Sequence, residues 1–217
     1  MKEDYDIISA TEEYRDRIVE FLRECFFKHE PLNVCSGAPP NRPAHDMDSL
    51  PKLSEGMSLL AVSRNGQRIL GVCINGAVKP DAEKQKEKTY THPAYTKISN
   101  FIWKFIERAD TLKTTGADCV MFVYLLGVDE AARGRGIGRA LMEKSRENAR
   151  CAGYPMIAVV CSSYFSARIA RNIGMQSVYS LSYSEYLDED GHPVFKPLPP
   201  HTEISLLVQK LSSETEL

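Results

Sequence analysis

Apolar positions in this chain repeat with two different periods, and the switches between them mark out its elements. Tyr5 to Ser9 reads as a short strand. Tyr14, Ile18, Phe21, Leu22, Cys25 and Phe26 then recur at helical spacing, behind Thr11 as a candidate N-cap. Glu12 and Glu13 fall at the positive end of that helix's dipole. Pro31 disfavours helical geometry in the residue before it, so the helix is expected to end near Glu30. From Asn33 to Pro51 the chain is rich in Pro, Ser and Asn, with room for one helical turn around Asp46 to Ser49. A loop of that length in a compact domain often lines a binding site.

Ser58 to Ser63 and Arg68 to Val78 are apolar runs flanking Asn65-Gly66, the pattern of a β-hairpin. Residues 79–88 are charged and read as a solvated loop. Tyr95, Ile98, Phe101, Ile102, Phe105 and Ile106 predict a second amphipathic helix beginning near Pro93. Cys119 to Val128 is uninterrupted in its apolarity, as expected of a central strand buried on both faces. A basic, glycine-rich turn over Arg133 to Gly138 leads into a helix that runs through Arg150. Met156 to Cys161 predicts another buried strand, and Ser163 to Ile173 a helix ended by Gly174. Gln176 to Tyr186 and His201 to Gln209 alternate as a closing antiparallel pair. The order is β-α-(α)-β-β-α-β-α-β-α-β-β. This is a mixed α/β pattern, read as one domain over residues 1–217, without the regular βαβ alternation of a doubly wound fold.

Composition narrows the function classes. With 43% hydrophobic and 26% charged residues the chain is ordinary for a globular protein, and its 217 residues can bury a core unaided by metals or disulfides. A net charge of −2 argues against a dedicated nucleic-acid binder. No apolar run approaches the ~18 residues of a membrane span, and the acidic amino terminus is not a secretory signal. The six cysteines show no C-x-x-C spacing. They read as free thiols of a reducing, cytoplasmic compartment, each a small buried hydrophobe. The five histidines form no H-x-x-x-H pair, so no metal site is expected. Nothing in the pattern sets an oligomeric state.

Arg133-Gly134-Arg135-Gly136-Ile137-Gly138-Arg139 lies between a buried strand and a helix. The first helical N–H groups lack intrahelical partners, the dipole is positive there, and glycines admit close approach to the backbone. Arg133, Arg135 and Arg139 add fixed positive charge, so a phosphate-bearing ligand is the natural occupant. A tight turn with solvated arginines is the alternative. The dinucleotide fingerprint fails, because Arg139 stands where its third glycine belongs, and G-K-[ST] is absent.

What fits is R-x-x-G-x-G, read as Arg133, Gly136 and Gly138 after the strand ending Leu125-Leu126-Gly127-Val128. This resembles the acetyl-CoA pyrophosphate loop of the GNAT family of N-acetyltransferases, with Ala167 and Gly174-Met175 similar to its later A…G-F element. The resemblance implies a mixed, mostly antiparallel central sheet flanked by helices. It also implies acetyl-CoA as co-substrate, held by Val128, Arg133, Gly134, Gly136, Gly138 and Arg139. Phe26-Phe27-Lys28-His29-Glu30-Pro31-Leu32-Asn33 resembles the F-F-x-x-E-P-L-N segment of the insect arylalkylamine N-acetyltransferases. Cys161 to Arg168 and Val194-Phe195-Lys196-Pro197 supply two further matches in the same order. By that resemblance Glu30 is the general base, Ser162 and Ser166 assist proton transfer, and the acceptor is a small amine of the dopamine, tyramine or serotonin type.

The chemistry agrees with the residues. An alkylamine with a pKa near ~10.4 is protonated at neutral pH and must lose a proton before it can attack a thioester, which a carboxylate can accept. The leaving thiol, with a pKa near ~8.5, departs without a strong acid. That matters because many GNAT members carry a tyrosine where this chain has Ala170. Ser162 and Ser166 would share a face if helix begins that early, and Tyr164 is another hydroxyl, while either Ser162 or Ser163 is expected to cap the helix. A backbone N–H around Gly127 is the candidate oxyanion donor. The aromatic residues of the first helix and of the helix over 93–106 read as core rather than substrate cage. Two other readings stay open: a polyamine, hydrazine-like or protein amine acceptor, and a non-catalytic CoA-binding module.

Overall fold

The computed structural model describes residues 4–79 and 88–211, so the charged loop expected at 79–88 lies almost wholly outside the described residues. Among the described residues seven strands form one sheet: β1 (Tyr5–Ser9), β2 (Leu59–Ser63), β3 (Ile69–Val78), β4 (Val120–Val128), β5 (Met156–Cys161), β6 (Gln176–Ser182) and β7 (Glu203–Lys210). Their order is β1-β2-β3-β4-β5-β7-β6. Every neighbouring pair is antiparallel except β4 with β5. The expected mixed, mostly antiparallel sheet is what forms, with β7 inserted between β5 and β6.

Helices cover both faces. Helices α5 (Ile137–Cys151) and α6 (Tyr164–Asn172) pack Leu141, Met142, Ala167 and Ala170 against Met121, Val123 and Leu207. On the opposite face, α3 (Pro93–Ala109), followed by the short α4 (Thr111–Thr115), buries Tyr95, Phe101 and Phe105 against Phe122, Ala158 and Leu206. Burying each of those rings contributes about 1.5–3 kcal/mol. α1 (Arg15–Phe21) lays Ile18 and Phe21 on Leu60, Val72 and Leu125. Successive β4 residues therefore enter opposite cores, which is why that stretch is apolar without alternation.

The first helix differs from its expected course. α1 continues as a π-helical turn over Leu22–Phe26, and Glu30 is extended at φ −68°, ψ 125°, as its proline neighbour requires. The chain then re-enters helix at once: α2 spans Pro31–Cys35, where a loop was expected. Proline is excluded from a helix interior but suits the first position, whose N–H would have no partner. The loop that follows turns helical at Ala44–Asp46 and Leu50–Glu55. It is tied to the α3 side by Tyr95, whose hydroxyl donates to the Pro39 carbonyl at 2.6 Å, and by Arg42, which donates to Ser99 Oγ at 3.1 Å. Of the six cysteines read as buried, Cys73 and Cys161 are buried, Cys25, Cys35 and Cys119 are only partly so, and Cys151, the last residue of α5, is exposed.

One irregularity opens the sheet. Ile74 faces Leu125 but Asn75 faces Val123, so Tyr124 is the extra residue of a bulge in β4. β4 pairs with β5 only over Met121–Val123 against Ile157–Val159. Beyond the bulge β4 follows β3 as far as Val128, while β5 follows β7 as far as Cys161. The carboxyl ends of the two central strands therefore diverge.

Candidate active site

Residues from distant parts of the chain meet where β4 and β5 separate. Glu30 is the N-cap of α2, with its Oε2 accepting from the Asn33 backbone N–H at 2.8 Å and from the Asn33 side-chain amide. Its other oxygen, Oε1, accepts from the Ser162 hydroxyl at 2.7 Å. Ser162 directly follows β5, and its carbonyl accepts from the Tyr183 hydroxyl at 2.7 Å. Burial, and then the charge of Glu30, push the Tyr183 phenol far above its usual range, so it remains a donor across the working pH. His201 accepts from the Tyr164 N–H through Nδ1 at 3.1 Å. Desolvation lowers its pKa, against the opposing pull of Glu30.

The serines separate into distinct roles. Ser163 caps α6, accepting from the Phe165 N–H at 3.2 Å, so Ser162 lies outside the helix and shares no helical face with Ser166. The Ser166 hydroxyl donates to the Ser163 carbonyl at 2.9 Å. Of the two serines, Ser162 alone bonds to Glu30. Ala170 is fully buried in the core, leaving no hydroxyl at that helical position. Tyr164 and Phe165 are exposed beside Ser162, with the Arg168 guanidinium 5.7 Å from each ring centre.

The glycine-rich turn follows a short helical turn, Glu130–Ala132. Gly134 and Gly136 take φ +74° and +80°, the left-handed conformations that favour glycine. A Cβ on either would meet no atom within 4 Å, so the turn faces open space. Gly136 caps α5 without a side-chain bond, which leaves the first N–H groups of a long helix for a ligand. Gly138 differs: a Cβ there would lie 3.1 Å from Ile169 and 3.4 Å from Val128, so this glycine lets α5 approach α6 and β4. Arg133 is exposed and Arg135 half-exposed on the turn, whereas Arg139 pairs with Glu143 at 3.0 Å. Around Gly127, Phe21 and Phe26 lie 3.4 and 3.5 Å from where a Cβ would stand. His29 reaches Glu130 at 3.3 Å, linking the turn before Glu30 to the approach of the glycine loop.

Asn33, Tyr183 and His201 escaped the sequence reading. Asn33 had a signal, as a member of the E-P-L-N match. Tyr183 and His201 sit in the closing β6–β7 region, where nothing in the pattern points back to Glu30. The structure also gathers Asp188, Asp190 and His192 on an exposed turn. There Asp188 Oδ1 accepts the N–H groups of Asp190 and His192 at 3.1 and 2.8 Å, a turn-forming role.

A strand ending in a glycine turn at a helix N-terminus, beside a sheet that splits, is a distinctive arrangement. Residues 16–170 match the acetyltransferase (GNAT) family. The chain belongs to the GNAT acetyltransferase family. It is thus an acetyltransferase by family, with a fold of the kind that binds acetyl-CoA. Among solved GNAT structures it is similar to arylalkylamine N-acetyltransferase 2 from Aedes aegypti, with 26% identity and a TM-score of 0.88 over 96% of this chain and 100% of that one. It is also similar to the Drosophila melanogaster polyamine N-acetyltransferase that catalyses the formation of N-acetylagmatine. Identity there is 26% and TM-score 0.80, over 95% of this chain and 100% of that one. The Sinorhizobium meliloti phosphinothricin acetyltransferase, solved in complex with AcCoA, shares the fold at 13% identity and a TM-score of 0.59, over 100% of this chain and 93% of that one.

Proposed function

We propose that this GNAT protein transfers the acetyl group of acetyl-CoA to the primary amine of a small arylalkylamine, with Glu30 as general base. The observation that carries this reading is the buried Glu30 carboxylate joined to Ser162 at the point where β4 and β5 part. The amine arrives as an ammonium and gives up a proton toward Glu30 Oε1, with the Ser162 hydroxyl as the intermediate donor and acceptor. The neutral nitrogen then attacks the thioester carbonyl, a C–N bond forms, the C–S bond breaks, and the second proton that the nitrogen sheds on becoming an amide ends on the departing thiolate. Thiolate is a tolerable leaving group, consistent with the apolar Ala170.

Gly134 and Gly136 supply open backbone to the CoA phosphates, and Arg133 and Arg135 supply charge. Val128 ends the strand that leads there, Gly138 brings α5 close, and Arg139 lies one turn further along the helix. β4 residues beyond the bulge, on the side where β5 has withdrawn, can bond an extended amide-bearing arm and stabilise the developing oxyanion.

An arylalkylamine acceptor is favoured over a polyamine by the exposed groups beside Glu30 and Ser162. Val34, Phe165 and the ring of Tyr164 are apolar, and Arg168 over the two rings opposes a second ammonium. The relatives include both acceptor classes, so the test is a panel. Thiol release from acetyl-CoA is measured with arylalkylamines, agmatine, polyamines and peptide amines. A kcat/KM at least tenfold higher for an arylalkylamine is expected; a preference for agmatine or polyamines overturns the acceptor assignment. No release with any amine would favour a CoA-binding module.

A further inference from the structure

Asn33 is 3% exposed, in the first turn of α2. Its backbone N–H and its side-chain Nδ2 both donate to the same atom, Glu30 Oε2. Chemistry fixes which way the amide faces. Turned over, Oδ1 would confront a carboxylate oxygen with no proton between two acceptors. The consequence is that Asn33 Oδ1 is buried with no hydrogen-bond partner among the described residues. An unpaired buried acceptor is unfavourable, and leucine, of the same branched outline, would avoid it. The donor half of the amide therefore accounts for an asparagine at this position.

Glu30 is only 8% exposed, and a carboxylate so placed needs hydrogen-bond donors to carry charge. Its two oxygens are supplied unequally. A proton bound for Oε2 would displace two N–H donors. One bound for Oε1 enters through the Ser162 hydroxyl, which hands its own proton to Glu30 as it accepts another from the amine. We propose that Asn33 is a positioning residue for acetyl transfer, its two N–H donors occupying Glu30 Oε2 and leaving Oε1, through Ser162, as the proton's entry. This role rests on Glu30 being the base.

Other groups face Glu30 from the neighbouring elements. Cys35 lies at the far end of α2, with Lys97 of α3 beside it; Tyr183 stands past the end of β6, and His201 ahead of β7. Burial raises Cys35 and Tyr183, so both stay neutral at working pH. His201 alone among these changes charge on the acid side, so each profile is repeated in a His201→Gln background.

The test is kcat against pH at saturating substrates for Asn33→Leu, which keeps the branched outline and removes the amide, and for Asn33→Asp, which keeps shape and removes the side-chain donor. In Asn33→Leu the acid limb is expected to move up by about one pH unit, with kcat several-fold lower at neutral pH and within about twofold of wild type on the alkaline plateau. In Asn33→Asp the limb moves further, because two carboxylates then share one site. Should the leucine variant fail to fold, the aspartate variant carries the test. Limbs in the wild-type position, whether the rate is full or uniformly reduced, overturn the proposal. Glu30→Gln run alongside separates the two failures. If it keeps both rate and limb, the base assignment falls; if it loses the limb while the Asn33 variants keep theirs, the role of Asn33 alone falls.

Discussion

The Ser162 hydroxyl donates to Glu30 Oε1 at 2.7 Å although 132 positions separate the two residues in sequence. Tyr183 anchors the Ser162 backbone from one side and Asn33 holds Glu30 Oε2 from the other, so neither partner of the pair can swing freely. The carboxylate is thus held in one orientation, which, on the proposed function, reduces the ordering that amine binding must supply.

Replacing Glu30 with Gln keeps the size and the acceptor that caps α2, and removes charge and basicity. We expect kcat to fall by at least ~10²-fold at neutral pH, with partial recovery as pH rises and more free amine is present. If the carboxylate only attracts the cation, the loss appears instead as a raised KM with kcat retained. Circular dichroism checks the fold, and steady-state kinetics over pH decides: a kcat within about twofold of wild type places the base elsewhere.

Ser162→Ala and Ser166→Ala should differ. Ser162 touches the carboxylate, so its loss is expected to lower kcat by ~10- to 100-fold, the lower part of the range for proton-transfer assistance. Ser166 donates to the Ser163 carbonyl, and its loss should change kcat by less than ~3-fold. Equal losses in both variants would mean that Ser166 reaches the reacting groups during turnover.

Two glycines of the turn should fail in different ways. Gly136→Ala places a Cβ on a backbone at φ +80°, costing about 1–2 kcal/mol, and intrudes on the open face where phosphates are proposed to sit. Acetyl-CoA affinity should drop at least ~10-fold. Gly138→Ala meets Ile169 at 3.1 Å, so its main effect should be a lower Tm through α5–α6 packing. Calorimetry with acetyl-CoA and thermal melts on both variants distinguish the two; full affinity in folded Gly136→Ala would remove the turn from the phosphate site.

Acidification should destabilise the fold through His201. Desolvation lowers its pKa below the ordinary histidine value of ~6.5, so the unfolded chain binds the proton more readily. The contribution to stability is complete above pH ~6.5 and is lost as pH falls through the lower, folded-state pKa. Protonation also converts Nδ1 from acceptor to donor and breaks the bond from the Tyr164 N–H. Tm measured from neutral to mildly acid pH should decline more steeply in wild type than in His201→Gln; parallel curves would exclude this histidine as a source.

Helix and strand order was legible because it rests on local periodicity. Phe101 and Phe105 of α3 entered the core from a helical repeat, and Met121 and Phe122 entered opposite cores from an unbroken apolar run. Pro31 was read as a stop and is a start, since the same ring that restricts Glu30 suits the first residue of α2. Glu30, Ser162 and the glycine turn were recognisable as motif members, whereas the difference between Ser162 and Ser166 needed coordinates. It turns on whether helix begins one residue earlier or later.

By itself the sequence determined the seven strands and the long helices, the two-sided burial of β4 and the glycine turn at Gly134 and Gly136, because side-chain period and backbone sterics act over a few residues. The tertiary structure alone decided that β7 slips between β5 and β6, that Tyr124 bulges, and that β4 and β5 part beyond Val123. Strand pairing is a competition among distant segments with similar apolar faces, settled by the packing of the whole sheet rather than by any one stretch. Glu30 meets Ser162 only because that competition brings the start of α2 and the end of β5 to the same opening in the sheet.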